Sequence, residues 1–290
     1  MVRIDRGGKA QDLGAPPRYY MYPHLSPDGQ RVAVTVQQND SRNIFVYDLR
    51  RRALTRVTFH GEDADPVWSP DGRDIYFSSR IGNSGRLVMR ASADGSSAKA
   101  EKITEGARPS SISPDGKLLA LIAGKGWEIA TFDLEKHEST PYPANTNASA
   151  SWAVFSPNGR ELAYTSDESG RWEVYAQSFL GTGKKIQVST NGGKEPVWSQ
   201  TGNELFYWSD GVMMAARLNR AAGLEAAAPY MLFKAPPHNA TTHTPLPYQS
   251  YDAAPDGQSF LMMEDIDSRF SQIAVVLNWL ETMKRVEAAP

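Results

Sequence analysis

One tetrapeptide recurs along the whole chain. Ser26-Pro27-Asp28-Gly29 returns as Ser69-Pro70-Asp71-Gly72 and as Ser113-Pro114-Asp115-Gly116. It degrades to Ser156-Pro157-Asn158-Gly159 and Ser199-Gln200-Thr201-Gly202, then comes back as Ala254-Pro255-Asp256-Gly257. The glycines are 43, 44, 43, 43 and 55 residues apart. Each copy is a tight-turn signal: proline presets φ, aspartate bonds nearby backbone, and glycine takes the positive φ that closes a hairpin. Only the glycine is kept in all six copies, so the repeated aspartate reads as a turn residue rather than a ligand or catalyst. A period near 43 is the length of one four-stranded blade. Six copies therefore predict an all-β, six-bladed β-propeller, one domain over residues 1–290, with an insertion at 229–250 in the long last gap.

Strand signals flank every turn. Arg31 to Val36 and Asp74 to Phe77 alternate apolar and polar, and similar runs follow the other four turns. The residues just before the turns are Leu25, Trp68, Ile112, Phe155, Trp198 and Ala253. Most are large and apolar, which predicts packing between blades rather than a ligand platform. An open ring would leave two bare sheet edges. The last repeat has an inner strand pair and an apolar run at Gln272 to Trp279, but no clear outer strand. The segments Val2 to Asp5 and Lys9 to Leu13 are therefore expected to complete the C-terminal blade, one of them as its outer strand.

Composition narrows the function classes. The net charge is −2, with 31 Lys and Arg against 33 Asp and Glu, so no nucleic-acid partner is expected. No apolar stretch approaches the length of a membrane span, so no membrane insertion is expected. There is no cysteine, which removes thiolate chemistry and disulfides. Met1 to Gly14 is polar and lacks the apolar core of a leader peptide. As written, the chain is expected to be a soluble monomer in the cytoplasm, or in the periplasm if it belongs to a longer protein.

The motif Pro66-Val67-Trp68-Ser69-Pro70-Asp71-Gly72, echoed by Pro196-Val197-Trp198-Ser199, resembles the repeat of TolB-like propellers. Three further stretches are Val2-Arg3-Ile4-Asp5-Arg6-Gly7-Gly8-Lys9, Gly14-Ala15-Pro16-Pro17-Arg18 and Ile273-Ala274-Val275-Val276-Leu277-Asn278-Trp279. They are similar to the C-terminal propeller of some bacterial sensor-like proteins, including membrane-bound serine/threonine kinases. The resemblance implies the same fold and recognition of a protein or peptide. No kinase motif and no Gly-x-Ser-x-Gly elbow is present.

Chemistry is expected where the blade-joining loops open, at one mouth of the axial channel. This face holds His24, His60, His238 and His243, together with Glu62, Asp63, Asp65, Arg108 and Glu195. Asp65 and Glu195 occupy equivalent repeat positions three blades apart, which puts them across the channel from each other. His24, His60, Asp65 and Glu195 are candidate catalytic groups. Asp63, Asp65, Glu195 and His24 are a candidate ligand set for a divalent calcium, manganese or zinc ion, because oxygen ligands suit the first two and imidazole the third. Arg18, Tyr20, Tyr22, Arg108, Trp152, His238, His243 and Tyr248 are candidate ligand-binding residues.

Blander readings stand beside these. Glu62 to Asp65 reads as a solvated acidic run, His24 as an interior hydrogen-bonded histidine, and the tyrosines as packing for the first blade. Three functions remain open: a binding module for a protein, peptide or small molecule; a metal-assisted hydrolase of esters, lactones or phosphotriesters; and a sensor that clamps a small molecule under the insertion. No cofactor is required by the first of these.

Overall fold

The computed structural model describes residues 1–59, 61–81, 85–97, 99–124, 128–142, 148–179, 184–221, 223–235 and 249–263. They form six antiparallel sheets. From channel to rim, blade 1 is Tyr19–Leu25, Arg31–Gln38, Ser41–Asp48 and Ala53–Arg56. Blade 2 is Asp63–Trp68, Asp74–Arg80, Arg86–Ser92 and Glu101–Glu105. Blade 3 is Ala107–Ile112, Leu118–Ala123, Glu128–Asp133 and Glu138–Pro141; blade 4 is Ala150–Phe155, Glu161–Ser166, Glu173–Ser178 and Lys185–Gln187. In blade 5, Lys194–Trp198, Glu204–Ser209 and Val212–Asn219 are followed by two short strands, Glu225–Ala226 and Tyr230–Lys234. Both of these pair with Val212–Asn219. The expected insertion therefore begins with strand, and its residues 236–248 lie outside the described residues.

Blade 6 corrects one expectation. Its order is Tyr251–Ala253, Ser259–Met262, Val2–Asp5 and Ala10–Asp12. The start of the chain supplies two strands, not one, and Val2–Asp5 takes the third place that Gln272 to Trp279 was expected to fill. Residues 272–279 lie outside the described residues. The six innermost strands touch in sequence, and the last returns to the first.

The core is divided among the seams. Six apolar clusters form, one between each pair of neighbouring blades. Ala33, Ile44 and Val46 of blade 1 meet Trp68, Ile75 and Phe77 of blade 2. Val67, Tyr76 and Val88 meet Leu119, Leu121 and Phe132 of blade 3, and so on around to Leu261 and Met263 against Val32, Val34 and Tyr47. Strands between two seams must be apolar on both faces, which is why Val32 to Val36 is buried without a break. Trp68 and Trp198 are buried in their seams, as expected. Each indole N–H reaches a carbonyl of the preceding blade, His24 O at 2.9 Å and Val154 O at 3.0 Å. Arg31 and Arg220 lie over the two indole rings.

The repeated turns behave as structural units. Ser26 donates to Asp28 Oδ1, which also accepts from the Gln30 N–H, and the same pattern holds at Asp71 and Asp115. The serine hydroxyl holds each of these carboxyls below the usual aspartate range. Each turn glycine from blade 1 to blade 5 sits near the turn proline of the blade before it. A Cβ added at Gly29 would lie 2.9 Å from Pro255, whereas one at Gly116 would lie 3.7 Å from Pro70. Both glycines have positive φ, 65° and 74°. Gly116→Ala is therefore expected to cost only the left-handed penalty, about 1–2 kcal/mol. Gly29→Ala should cost more, because it also pushes on blade 6. Urea unfolding midpoints of the two variants check this, and equal losses would refute it.

Candidate ligand site at the channel mouth

Eight non-glycine residues among those described have positive φ. Asn39, Arg52, His137 and Asp210 sit in hairpin turns, where such values are ordinary. The other four are Tyr22, Asp65, Trp152 and Glu195, with φ between 53° and 56°. All four stand four residues before the first residue of their blade's turn, so they occupy one tier of the channel. The ladder slips at each, between Met21 and His24, Ala64 and Val67, Ser151 and Val154, and Lys194 and Val197. A bulge of this kind re-aims side chains. Left-handed backbone at a tyrosine, a tryptophan and two carboxylates is strained, and three of the four precede proline. Blade 3 is irregular at the same level, between Pro109 and Ser111. Ser250 holds the equivalent place in blade 6.

Asp63 and Asp65 are both buried, so the expectation of a solvated acidic run is corrected for these two. Serine hydroxyls make the burial possible. Ser78 donates to Asp65 Oδ2 and Ser79 to Asp63 Oδ1, both at 2.6 Å. Adjacent strand residues point to opposite faces, so the two aspartates face different seams. Arg86 Nη1 and Arg108 Nε stand 3.8 and 3.9 Å from Asp65 Oδ2. Asp65 Oδ1 and Asp63 Oδ2 have no hydrogen-bond partner. Glu62 remains exposed beside Arg80.

Glu195 turns towards blade 6. Its Oε2 accepts the Ser250 hydroxyl at 2.6 Å and the Ser250 N–H at 2.8 Å. Trp208 Nε1 donates to that same hydroxyl, and Tyr251 donates to the Glu195 carbonyl. Burial pushes the Glu195 carboxyl up to about 7 against the pull of the Ser250 donors. Asp65 and Glu195 are thus equivalent in the fold but separately partnered.

His24 Nδ1 lies 4.0 Å from Asp252 Oδ2, too far for a hydrogen bond. Asp252 instead accepts the Leu25 N–H across the seam at 2.7 Å, and burial raises its carboxyl above the usual range. Among the described residues no three His, Asp or Glu groups come together as a metal site. The expected set of Asp63, Asp65, Glu195 and His24 is therefore not assembled, since each of these groups is turned to its own seam.

The aromatic candidates divide. Tyr20 donates to Pro16 O at 2.7 Å and packs on the seam between blades 6 and 1, and burial lifts its hydroxyl to about 12. Arg18 lies over the Phe45 ring at 6.0 Å. These two pack blade 1. Trp152 is buried but belongs to none of the six seam clusters, and its Nε1 has no partner. Tyr22 is half-buried on the same tier. His60, His238, His243 and Tyr248 lie outside the described residues. Sequence reasoning missed Arg86, Ser78 and Ser250. The one available signal was register: Ser78 lies six residues after its turn glycine, on the strand facing Asp65.

Residues 6–201 match the PD40 model, the TolB beta propeller domain. The chain is 33% identical over 129 residues to the uncharacterized peptidase YuxL of Bacillus subtilis, covering 41% of this chain and 20% of that protein. It is 30% identical over 191 residues to the Tol-Pal system protein TolB of Francisella tularensis, covering 61% of this chain and 43% of that protein. The chain thus spans less than half the length of either relative. A structure assigned as TolB of Agrobacterium tumefaciens superposes with a TM-score of 0.68 at 16% identity, covering 91% of this chain and 96% of that one. At that identity the likeness speaks for the fold, which agrees with the six closed blades described above. The chain belongs to the PD40 family of TolB β-propeller domains.

Proposed function

We propose that this propeller is a recognition module that takes a peptide or small ligand end-on at the channel mouth. The observation that carries the reading is the strained tier of Tyr22, Asp65, Trp152 and Glu195. Strain in bulky residues persists only where the surroundings impose it, and it gathers at ligand clamps. The unpartnered Trp152 Nε1 and Asp65 Oδ1 on that tier add a donor and an acceptor, the pair an amide group satisfies. One relative is named for the Tol-Pal system and another as a peptidase, and both names fit peptide chains as ligands.

The test is a fluorescence-detected array of mixed short peptides. Peptides retained by the wild type should bind up to about tenfold more weakly to Tyr22→Ala, since an aromatic contact contributes roughly 0.5–1.5 kcal/mol beyond its buried area. Peptides that ignore Tyr22→Ala and Trp152→Phe would sink the reading. So would turnover of an ester, lactone or phosphotriester that stops with chelator and returns with one divalent metal. That result would put the hydrolase reading in its place.

A further inference from the structure

The geometry points to an anion site on the closing blade, one that takes a small phosphorylated molecule of the sugar phosphate kind. It lies away from the channel mouth and does not depend on the recognition reading above. A cavity of about 410 Å³ opens on blade 6, lined by Arg3, Asp5, Lys9, Ala10, Gln11 and Ser259. That volume falls within the range of small-molecule pockets. Strand register explains why these side chains converge. Arg3 stands opposite Gln11 on one side and Leu261 on the other, and Asp5 stands opposite Ser259. Residues opposite each other share a face of the sheet, as do residues two apart, so Arg3, Asp5, Gln11 and Ser259 make one polar patch. Lys9 joins it from the hairpin, where the Asp5 N–H donates to Lys9 O at 3.1 Å. Ser259 lies two residues after the turn glycine Gly257, which sets the cavity on the turn side of the ring, opposite the mouth.

Positive charge is in excess here. Arg3 and Lys9 bring two cations to the cavity and Asp5 one carboxylate. Among the described residues neither cation is ion-paired with a carboxylate. Asp5 is engaged elsewhere: its Oδ1 accepts the Gly7 and Lys9 N–H groups, each at 2.9 Å, and fixes the hairpin. Arg6, the next cation along the chain, is committed to Glu204 in blade 5. Arg3 is half-buried, whereas Lys9 is exposed. A guanidinium that has lost part of its hydration and faces a cavity without a counter-charge favours an anion there.

Donor shape selects the kind of anion. The Arg3 fork, the Lys9 ammonium, the Gln11 amide and the Ser259 hydroxyl surround the space, and none of these side chains is hydrogen-bonded to another described residue. A planar carboxylate has two oxygens, and the fork alone fills them. A phosphate monoester presents three oxygens in a tetrahedral array, which take the fork, the ammonium and a neutral donor together. Asp5 Oδ2 is left to accept from a hydroxyl on the body of the ligand. The ligand class is thus a phosphate on a small hydroxylated carrier. Such a ligand touches strands from both ends of the chain, Val2–Asp5 and Ser259–Met262. It therefore binds only the closed ring, and its binding stabilises that ring by mass action.

Titration calorimetry on the full chain, in a low-salt buffer without phosphate, tests this with glucose 6-phosphate, glucose, glucuronate and inorganic phosphate. Glucose 6-phosphate should bind at least about tenfold more tightly than glucose or glucuronate, and inorganic phosphate should displace it. Arg3→Gln and Lys9→Gln should each weaken it by about tenfold or more, the range of a hydrogen bond to a charged group. Arg73→Gln, at a turn where the side chain is 86% exposed, should leave it unchanged. Lys9 is exposed on a hairpin, so its variant gives an answer even where Arg3→Gln fails to fold. Saturating glucose 6-phosphate should also raise the urea midpoint of the wild type and not that of Lys9→Gln. No binding of glucose 6-phosphate overturns the site, as does equal binding of glucose, or binding that survives Lys9→Gln. An equal loss in Arg73→Gln would show a diffuse attraction to surface charge and overturns it too. Glucuronate binding as tightly as glucose 6-phosphate overturns the assignment to phosphate.

Discussion

Replacing Arg6 by alanine is expected to cost roughly 3 kcal/mol of stability, read as a lower urea midpoint, although the residue touches neither the channel nor any candidate ligand group. Arg6 directly follows Val2–Asp5, the strand that the start of the chain lends to blade 6. Its guanidinium grips both Glu204 oxygens at 2.9 and 3.1 Å, donates to the Tyr230 hydroxyl at 2.8 Å and to Gly257 O at 3.0 Å, and lies over Phe206. Four partners in blades 5 and 6 thus converge on one side chain. Removing it leaves Glu204 half-buried beside Tyr230, with only the largely exposed Arg217 at 3.9 Å as a counter-charge. The Arg6 hydrogen bond is the main cause holding the Glu204 carboxyl below its usual range. Arg73, 86% exposed beside Asp71, is the control, and Arg73→Ala should change almost nothing. A loss from Arg6→Ala no larger than that control would show that the closing seam depends on apolar packing alone.

The second large effect is a pH dependence. The Glu195 carboxyl is raised from 4.5 to about 7 by burial, so the folded chain holds this proton more tightly than the unfolded chain does. The associated stability is complete below pH 4.5 and is lost as pH rises to about 7, a change of roughly 3 kcal/mol. Glu195→Gln keeps an acceptor for Ser250 and has no proton to lose. The stability of the wild type relative to this variant should therefore fall by about that amount between pH 4.5 and 8. Asp252 is raised in the same direction but is present in both proteins and cancels in the comparison. Parallel pH profiles from urea titrations would show that Glu195 keeps its charge, or stays solvated, in the folded state.

The ring was readable because its information is local. Proline, aspartate and glycine act within four residues, and their period counts the blades directly. The number of strands lent to blade 6 was not readable, because alternation identifies a strand without naming its partner. By pattern the apolar run Gln272 to Trp279 has the third place that Val2–Asp5 takes, and the start of the chain only the outer one. The same limit applies at the channel mouth. Register alone showed that Asp65 and Glu195 are equivalent, but a bulge decides where a side chain points. Asp65 turned to Ser78 and Glu195 to Ser250, and apart from the register of Ser78 neither serine carries a sequence signal of such a role. Arg108 was legible as a mouth residue because it stands where one blade passes into the next, at the second residue of Ala107–Ile112, whereas Arg86 opens the third strand of blade 2.

The pairing of Arg3 with Leu261 also sets an order of events in time. Val2–Asp5 leaves the ribosome about 250 residues before its partner strand Ser259–Met262 exists. Until then it has no sheet to join, and blades 1 to 5 can assemble only as an open arc with a bare edge at each end. Contacts of such separation are slow to form, since the chain entropy of closing the loop is lost before any pairing offsets it. Ring closure is therefore expected to be the last act of folding, and the Glu195–Ser250 contact of the mouth tier to be completed only with it.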